Sequence, residues 1–368
     1  MNNIKRGSIY IILFISLAVS IYFGFQKKGF HEDEYYTYYS SNRSLGLYQP
    51  DREWQDRQTV LDEFVVKRGE GFNYGLVKLV QSWDVHPPVY YMIFHTVCSL
   101  VPEVFTKWTG IITNLIAFVI AFFALYGLMQ RLNVPYYVRI LTLVFWSCNP
   151  QTISCNMLTR MYGFLTAAIF LCAYTHVRFM QEYPRYKTDL KALVIKLLVP
   201  IMAVSYVGFL IQYFYIFFFV SIGFCLAVWM FFFKKDIWNT IAYVFGCAVA
   251  LGLAVITYPA SLHHMFGGYR GSDASGSLFD IGNTGMRIAF FTGLLNDYVF
   301  SGGLIIALLL VVAGTMALMI KNKRHRRMKS EAIILAIGTL SYFLLTAKSA
   351  LLVGSASNRY EMPVYGLI

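Results

Sequence analysis

Residues 213–233, YFYIFFFVSIGFCLAVWMFFF, decide the fold: 21 positions without a charge, ending on Lys234-Lys235. A helix rises 1.5 Å per residue, so about 20 apolar residues cross a hydrocarbon core about 30 Å thick. Backbone amides in that core have no water to bond, and a helix pairs them all internally. Working outward, comparable runs occupy 8–25, 108–129, 138–153, 161–180, 193–211, 237–258, 299–320 and 332–353. Over 368 residues, 57% are hydrophobic and 14% charged, whereas soluble domains carry about 25% charged residues. The expectation is an all-α polytopic helical membrane protein with about nine transmembrane helices. It forms one transmembrane domain over 1–368, with little chain left for a separate soluble domain.

Two other classes are set aside on composition. The net charge of +12 could suggest nucleic acid, but it is scattered over short loops between apolar runs. Its densest cluster, KNKRHRRMK at 321–329, reads as a cytoplasmic loop obeying the positive-inside rule. No nucleic-acid partner is expected. Of the six cysteines, Cys98, Cys172, Cys225 and Cys247 lie in apolar stretches, and Cys148 and Cys155 fit no metal spacing. All six read as structural. The first apolar run is followed by Phe23, Phe25 and Gln26 rather than by small residues, which favours a retained signal anchor.

The charges also set orientation. Lys5 and Arg6 place the N-terminus in the cytoplasm. The segment 89–100, VYYMIFHTVCSL, is too short to span and suits an interfacial helix over 89–101. If it does not cross, Arg131, Arg139, residues 178–191, Lys234, Lys235 and the 321–329 cluster all fall inside. The extracytoplasmic parts are then 27–88, 151–160, 259–298 and 354–363. Ten of the nineteen acidic residues lie between Glu32 and Asp84, in the first of these. Residues 365–368 read as the start of a further apolar helix.

Four pieces on that side carry candidate chemistry. His31-Glu32-Asp33-Glu34 stands just beyond the first helix, where a carboxylate can act as general base on a hydroxyl or simply form a solvated acidic turn. A divalent metal there is conceivable, but no second ligand cluster accompanies it, so no metal or cofactor is favoured. Asp84-Val85-His86-Pro87-Pro88-Val89-Tyr90-Tyr91 reads as a rigid loop-to-helix junction with interfacial tyrosines. Arg160-Met161-Tyr162 starts a helix, where the arginine snorkels or grips a phosphate with its fork. Asn358-Arg359-Tyr360 is the fourth piece. Lys348, inside an apolar helix near its outer end, either serves function or snorkels.

At these residues the chain resembles the GT-C glycosyltransferases, the superfamily that uses polyprenyl-phosphate sugars and includes protein O-mannosyltransferases and lipid A aminoarabinose transferases. The likeness rests on Asp33-Glu34 after the first helix, on D-x-H-P-P-x-Y-Y at 84–91, on Arg160-Met161-Tyr162 and on Arg359-Tyr360. Their order matches over essentially the whole chain, although family members usually continue with further helices. The resemblance implies inverting sugar transfer from a lipid-linked donor to a hydroxyl of an envelope lipid, polymer or protein. It implies Asp33 as base, with Glu34 orienting it or exchanging roles with it. His86, Tyr91, Arg160, Tyr162 and Arg359 are the implied substrate-binding residues. A bacterial plasma membrane is the expected location. The competing readings are a lipid-linked sugar or small-molecule transporter and a non-catalytic scaffold, and no convincing internal repeat supports the former.

Overall fold

The computed structural model describes residues 3–42, 53–322 and 329–368. The side chains of Lys5 and Arg6, and the basic residues 323–328, lie outside what is described. Every regular element among the described residues is helical. Among the described residues seven helices are long and apolar enough to cross a membrane, as in a multi-pass membrane protein. In chain order these and the shorter pieces are α1 (Asn3–Gln26), α2 (Glu32–Asn42), α3 (Arg57–Asp62), α4 (Tyr74–Trp83) and α5 (Val89–Ser99). Then come α6 (Lys107–Arg131), α7 (Tyr136–Ser147), α8 (Pro150–Met157) and α9 (Tyr162–Tyr186). The remainder are α10 (Leu190–Ile211), α11 (Tyr215–Phe233), α12 (Ile237–Thr257), α13 (Tyr269–Phe279), α14 (Thr284–Tyr298), α15 (Leu304–Asn322), α16 (Ser330–Ser349) and the single turn α17 (Asn358–Glu361).

Among the described residues, seven helices meet a span's length and apolarity, against nine apolar runs in the sequence. The run 138–153 is split, because Asn149 accepts from the Gln151 amide at 3.0 Å and Pro150 opens α8. Proline lacks the N–H that would continue α7, and the asparagine caps a new helix instead. The break leaves α7 only 12 residues long. α15 is helical over Leu304–Asn322, and its described side chains form the apolar stretch Leu304–Ala317.

α9 is the central element: 83% of its apolar window is buried, against 28% for α1 and α12. The other spans turn bulky side chains outward, Phe14, Phe224, Phe245 and Leu310 each about 70% exposed. Water would not sustain such a surface, whereas hydrocarbon does. Inside lipid the helices gain little by hiding apolar area from each other, so packing and buried polar contacts hold them. Ser16 and Ser147 share a hydroxyl bond of 2.7 Å, Asn156 donates to Ser20 at 3.0 Å, and His176 meets Tyr243 at 2.9 Å.

Between α1 and α6, the described residues 27–42 and 53–105 form a cap at one end of the bundle. Its core is aromatic: Phe30 stacks on Phe105 at 5.0 Å, and Tyr38 meets Phe94 edge-on at 4.7 Å. The Tyr38 hydroxyl donates to the Thr106 carbonyl at 2.6 Å and so ties α2 to the start of α6. α5 is 11 residues long, too short to span, and Tyr90, Tyr91 and Phe94 on it are fully buried. The segment is packed between the cap and the bundle.

The turn carrying Thr159 and Arg160 is held by α6. Asn114 donates to the carbonyls of Cys155, Asn156 and Leu158 at the end of α8, where helix carbonyls run short of amide partners. One turn earlier, Gly110 lets the turn approach: a Cβ there would stand 1.9 Å from the Thr159 hydroxyl oxygen. Gly110→Ala should therefore cost about 1–3 kcal/mol by overpacking and displace Arg160 with Thr159. A lowered melting temperature in lipid, larger than for alanine at the open Gly252, is the expected result.

Candidate functional site

The four polar pieces converge at the cap end of the bundle. Asp33 is on the first turn of α2, where the helix dipole favours its charge. Its Oδ2 accepts from Arg359 Nη1, a contact between residues 326 apart in sequence. The carboxylate keeps 25% of its side-chain surface exposed. Burial works against its ionisation, but the Arg160 and Arg359 guanidinium groups together outweigh that and hold it below the usual carboxylate range.

Arg160 lies 5% exposed under Asp33. Its Nη1 points at the Asp33 carbonyl (3.3 Å), the Thr37 hydroxyl (3.4 Å) and the Tyr91 hydroxyl (3.4 Å). Its Nη2 lies 3.0 Å from His86 Nε2, which has to accept, since guanidinium nitrogens only donate. His86 therefore carries its proton on Nδ1 and donates it to Asp84 Oδ2 at 2.8 Å. The result is a directed chain from Arg160 through His86 to Asp84. Burial keeps His86 below the ordinary imidazole range, with Arg160 adding to that effect against the pull of Asp84. Asp84 is held at about 2 despite burial, by His86 and then Arg160. The Tyr258 hydroxyl donates to the His86 carbonyl at 3.5 Å, anchoring this loop to the end of α12.

All of these Arg160 hydrogen bonds go to neutral acceptors, and its Nε has no partner. A buried guanidinium with its nearest carboxylates beyond hydrogen-bond contact is prepared for an anion. Arg359 likewise has an unpartnered Nε. It stacks over Tyr162 at 5.8 Å and Tyr360 at 5.2 Å, rings that meet edge-on at 5.6 Å. Arg359 reaches Asp33 because the chain after α16 turns back onto α9: the Tyr342 hydroxyl binds the Tyr360 carbonyl at 2.9 Å, and Gly366 nestles against Phe170 and Trp146.

Glu34 differs sharply from its neighbour. It is 1% exposed and accepts from Lys27 Nζ, from the His31 amide at 2.7 Å and from the Thr159 amide at 2.8 Å. The His31 contact is the returning half of a capping box, with Glu34 at the third helical position. Lys27 also holds the Met157 carbonyl at 2.6 Å. Glu34 thus joins α1, α2 and the turn before α9, and its oxygens are already engaged. Sequence inspection separates Asp33 from Glu34 poorly, and it passes over Lys27 and Asn114 as supports. The signal for Lys27 is a cation seven residues before an acid at a helix start.

Lys348 lies apart from this group. Its ammonium binds the Asp280 carbonyl (2.6 Å), Asn283 and Thr284 (3.0 Å), while Arg287 donates to the Ala347 and Ala350 carbonyls. Both cations fasten α13 and α14 to the end of α16. Among the described residues no three His, Cys, Asp or Glu side chains gather at metal-ligating spacing.

Two residues after Arg359, Glu361 is fully buried with neither carboxyl oxygen partnered. Burial pushes it well above the usual carboxylate range. A raised acid contributes stability that is complete below its unfolded value and is lost as pH rises through the folded one. The wild type should thus lose stability relative to Glu361→Gln above about pH 4.3, by up to ~1.4 kcal/mol per pH unit. Thermal melts of both proteins in lipid across that range measure the slope.

No protein-family model matches the chain, and no curated protein or solved structure is significantly similar to it.

Proposed function

We propose that this protein is an integral-membrane glycosyltransferase of GT-C type, moving a sugar from a polyprenyl-phosphate donor to an acceptor hydroxyl with inversion. The observation that carries the reading is Asp33, an anionic carboxylate lying between the two guanidinium groups Arg160 and Arg359 at one end of an apolar helical bundle. A base and a phosphate clamp in that position suit a substrate whose lipid lies among helices and whose sugar stands at the boundary.

Asp33 takes the acceptor proton, the acceptor oxygen bonds to the sugar C1 from the face opposite the phosphate, and the C1–O bond breaks. The electron pair leaves on the polyprenyl phosphate, already a good leaving group, so the main demand is for cations near its oxygens. Arg160 and Arg359 meet that demand, with His86, Tyr91 and Tyr162 positioning the guanidinium groups. In the resting state Arg359 sits on Asp33 and depresses its basicity. When Arg359 transfers to the donor phosphate, the carboxylate recovers basicity at the moment it is needed. Metal assistance is not required by this scheme.

In this proposal the N-terminus is cytoplasmic, α15 and the α7–α8 pair complete nine crossings, and the cap faces outward. A bacterial plasma membrane with undecaprenyl phosphate as carrier is the setting. The test is to incubate purified protein in lipid with a panel of polyprenyl-phosphate sugars and envelope extract, comparing wild type with Asp33→Asn. Transfer by the wild type that the variant loses supports the reading. Transport of labelled lipid-linked sugar across vesicles, with no transfer by a correctly folded protein, makes it a transporter instead.

A further inference from the structure

A cleft of about 470 Å³ opens beside the Asp33 cluster, between α2 and α4. Its walls include Tyr35, Tyr36, Tyr39, Phe64 and Trp83, with Asp84 also in the lining. Tyr36 is 57% and Trp83 50% exposed, so their rings are uncovered among the described residues. The cleft is tied to the proposed base twice. Tyr36 follows Asp33 by three positions on α2, which makes them neighbours on the helix surface. Asp84 is joined through His86 and Arg160 to the Asp33 carbonyl.

The lining narrows the occupant. A polyprenyl tail would set the Asp84 carboxylate and the tyrosine hydroxyls against hydrocarbon, with no partner for them beyond His86 on Asp84 and Glu32 on Tyr36, which is costly. An ammonium group, the usual guest of aromatic walls, would compete with His86 for the single carboxylate, and it would fill only a small part of the space. A sugar ring satisfies both surfaces: its C–H faces lie on the aromatic rings, and its hydroxyls bond to the carboxylate and phenols. The volume falls within the range of about 300–1,000 Å³ that suits a small ligand.

We propose that this cleft is the acceptor subsite and that it takes a neutral pyranose ring, borne by an oligosaccharide or by a glycolipid headgroup. The assignment rests on the transferase reading above and names its acceptor class.

The experiment measures binding without turnover. Full-length protein in nanodiscs is titrated calorimetrically with maltotriose, cellotriose and chitotriose, and separately with vesicles carrying a diglucosyl diacylglycerol. Saturable binding is expected, weakened about tenfold or more in Trp83→Ala and in Tyr36→Ala, and largely restored in Trp83→Phe. Thermal melts establish that the alanine variants remain folded. Binding of the vesicle-borne sugar alone identifies the source as a glycolipid, and binding of the free sugars identifies an oligosaccharide. The assignment is overturned if no sugar of either series binds, if both alanine variants bind as the wild type does, or if choline displaces the sugar from the cleft. Sugar binding without any transfer would remove the enzymatic reading and leave a carbohydrate-binding cleft. Transfer that Trp83→Ala does not impair would do the reverse.

Discussion

Asp33→Asn should lower sugar transfer by about 10²–10⁴-fold, the range a positioned general base supplies. The substitution is close to isosteric, and the amide oxygen can still accept from Arg359 where Oδ2 now does. What disappears is the negative charge and the ability to take a proton. Because Asp33 keeps 25% of its side-chain surface in contact with solvent, the folded state should lose little. Single-turnover transfer with a saturating lipid-linked donor isolates the chemical step, and thermal melts in the same lipid check the fold. Full transfer in the variant would move the base elsewhere. Glu34 is a poor second choice, with its oxygens committed to Lys27 and to two backbone amides. Asp84 is the better one, although His86 holds it at about 2.

Arg160→Lys should be nearly as damaging, about 10²–10³-fold, the loss typical of removing one preorganised stabiliser of developing charge. An ammonium preserves the charge but is a single point. It cannot reach Tyr91 and Thr37 with one nitrogen while holding His86 with another, as the guanidinium does. Arg160→Met goes further, since it also leaves His86 Nε2 and the Tyr91 hydroxyl without their donor. Each buried polar group so orphaned costs about 1–3 kcal/mol, so the methionine variant should melt measurably lower while the lysine variant folds. A lysine variant that retains wild-type turnover would remove Arg160 from the chemistry and leave it a structural cation.

The legible and the illegible parts divide along physical lines. Residues 213–233 announce a membrane helix because length and apolarity are local properties, and the seven long apolar helices follow the same rule. Where one local rule meets another, both leave a mark: 138–153 has the composition of a span, and Asn149 and Pro150 start a new helix inside it. The four polar pieces are visible as sequence, since carboxylates, arginines and tyrosines stand out among apolar runs. Their order carries the likeness to GT-C enzymes.

Which of those side chains meet is a different kind of information. Asp33 and Glu34 are adjacent and chemically alike, yet one faces two arginines and part of the solvent while the other is sealed by Lys27 and the turn before α9. That difference arises from the rotation of α2 against α6, set by Tyr38 and the aromatic cap. Lys348, suspicious by position alone, turns out to fasten one helix end to another. The sequence by itself determines the solvent the protein lives in and the helices it must form, because hydrophobicity and proline act within one turn or one span. The tertiary structure alone decides the pairing of Arg359 with Asp33, because that contact depends on where the chain after α16 returns, 326 residues later.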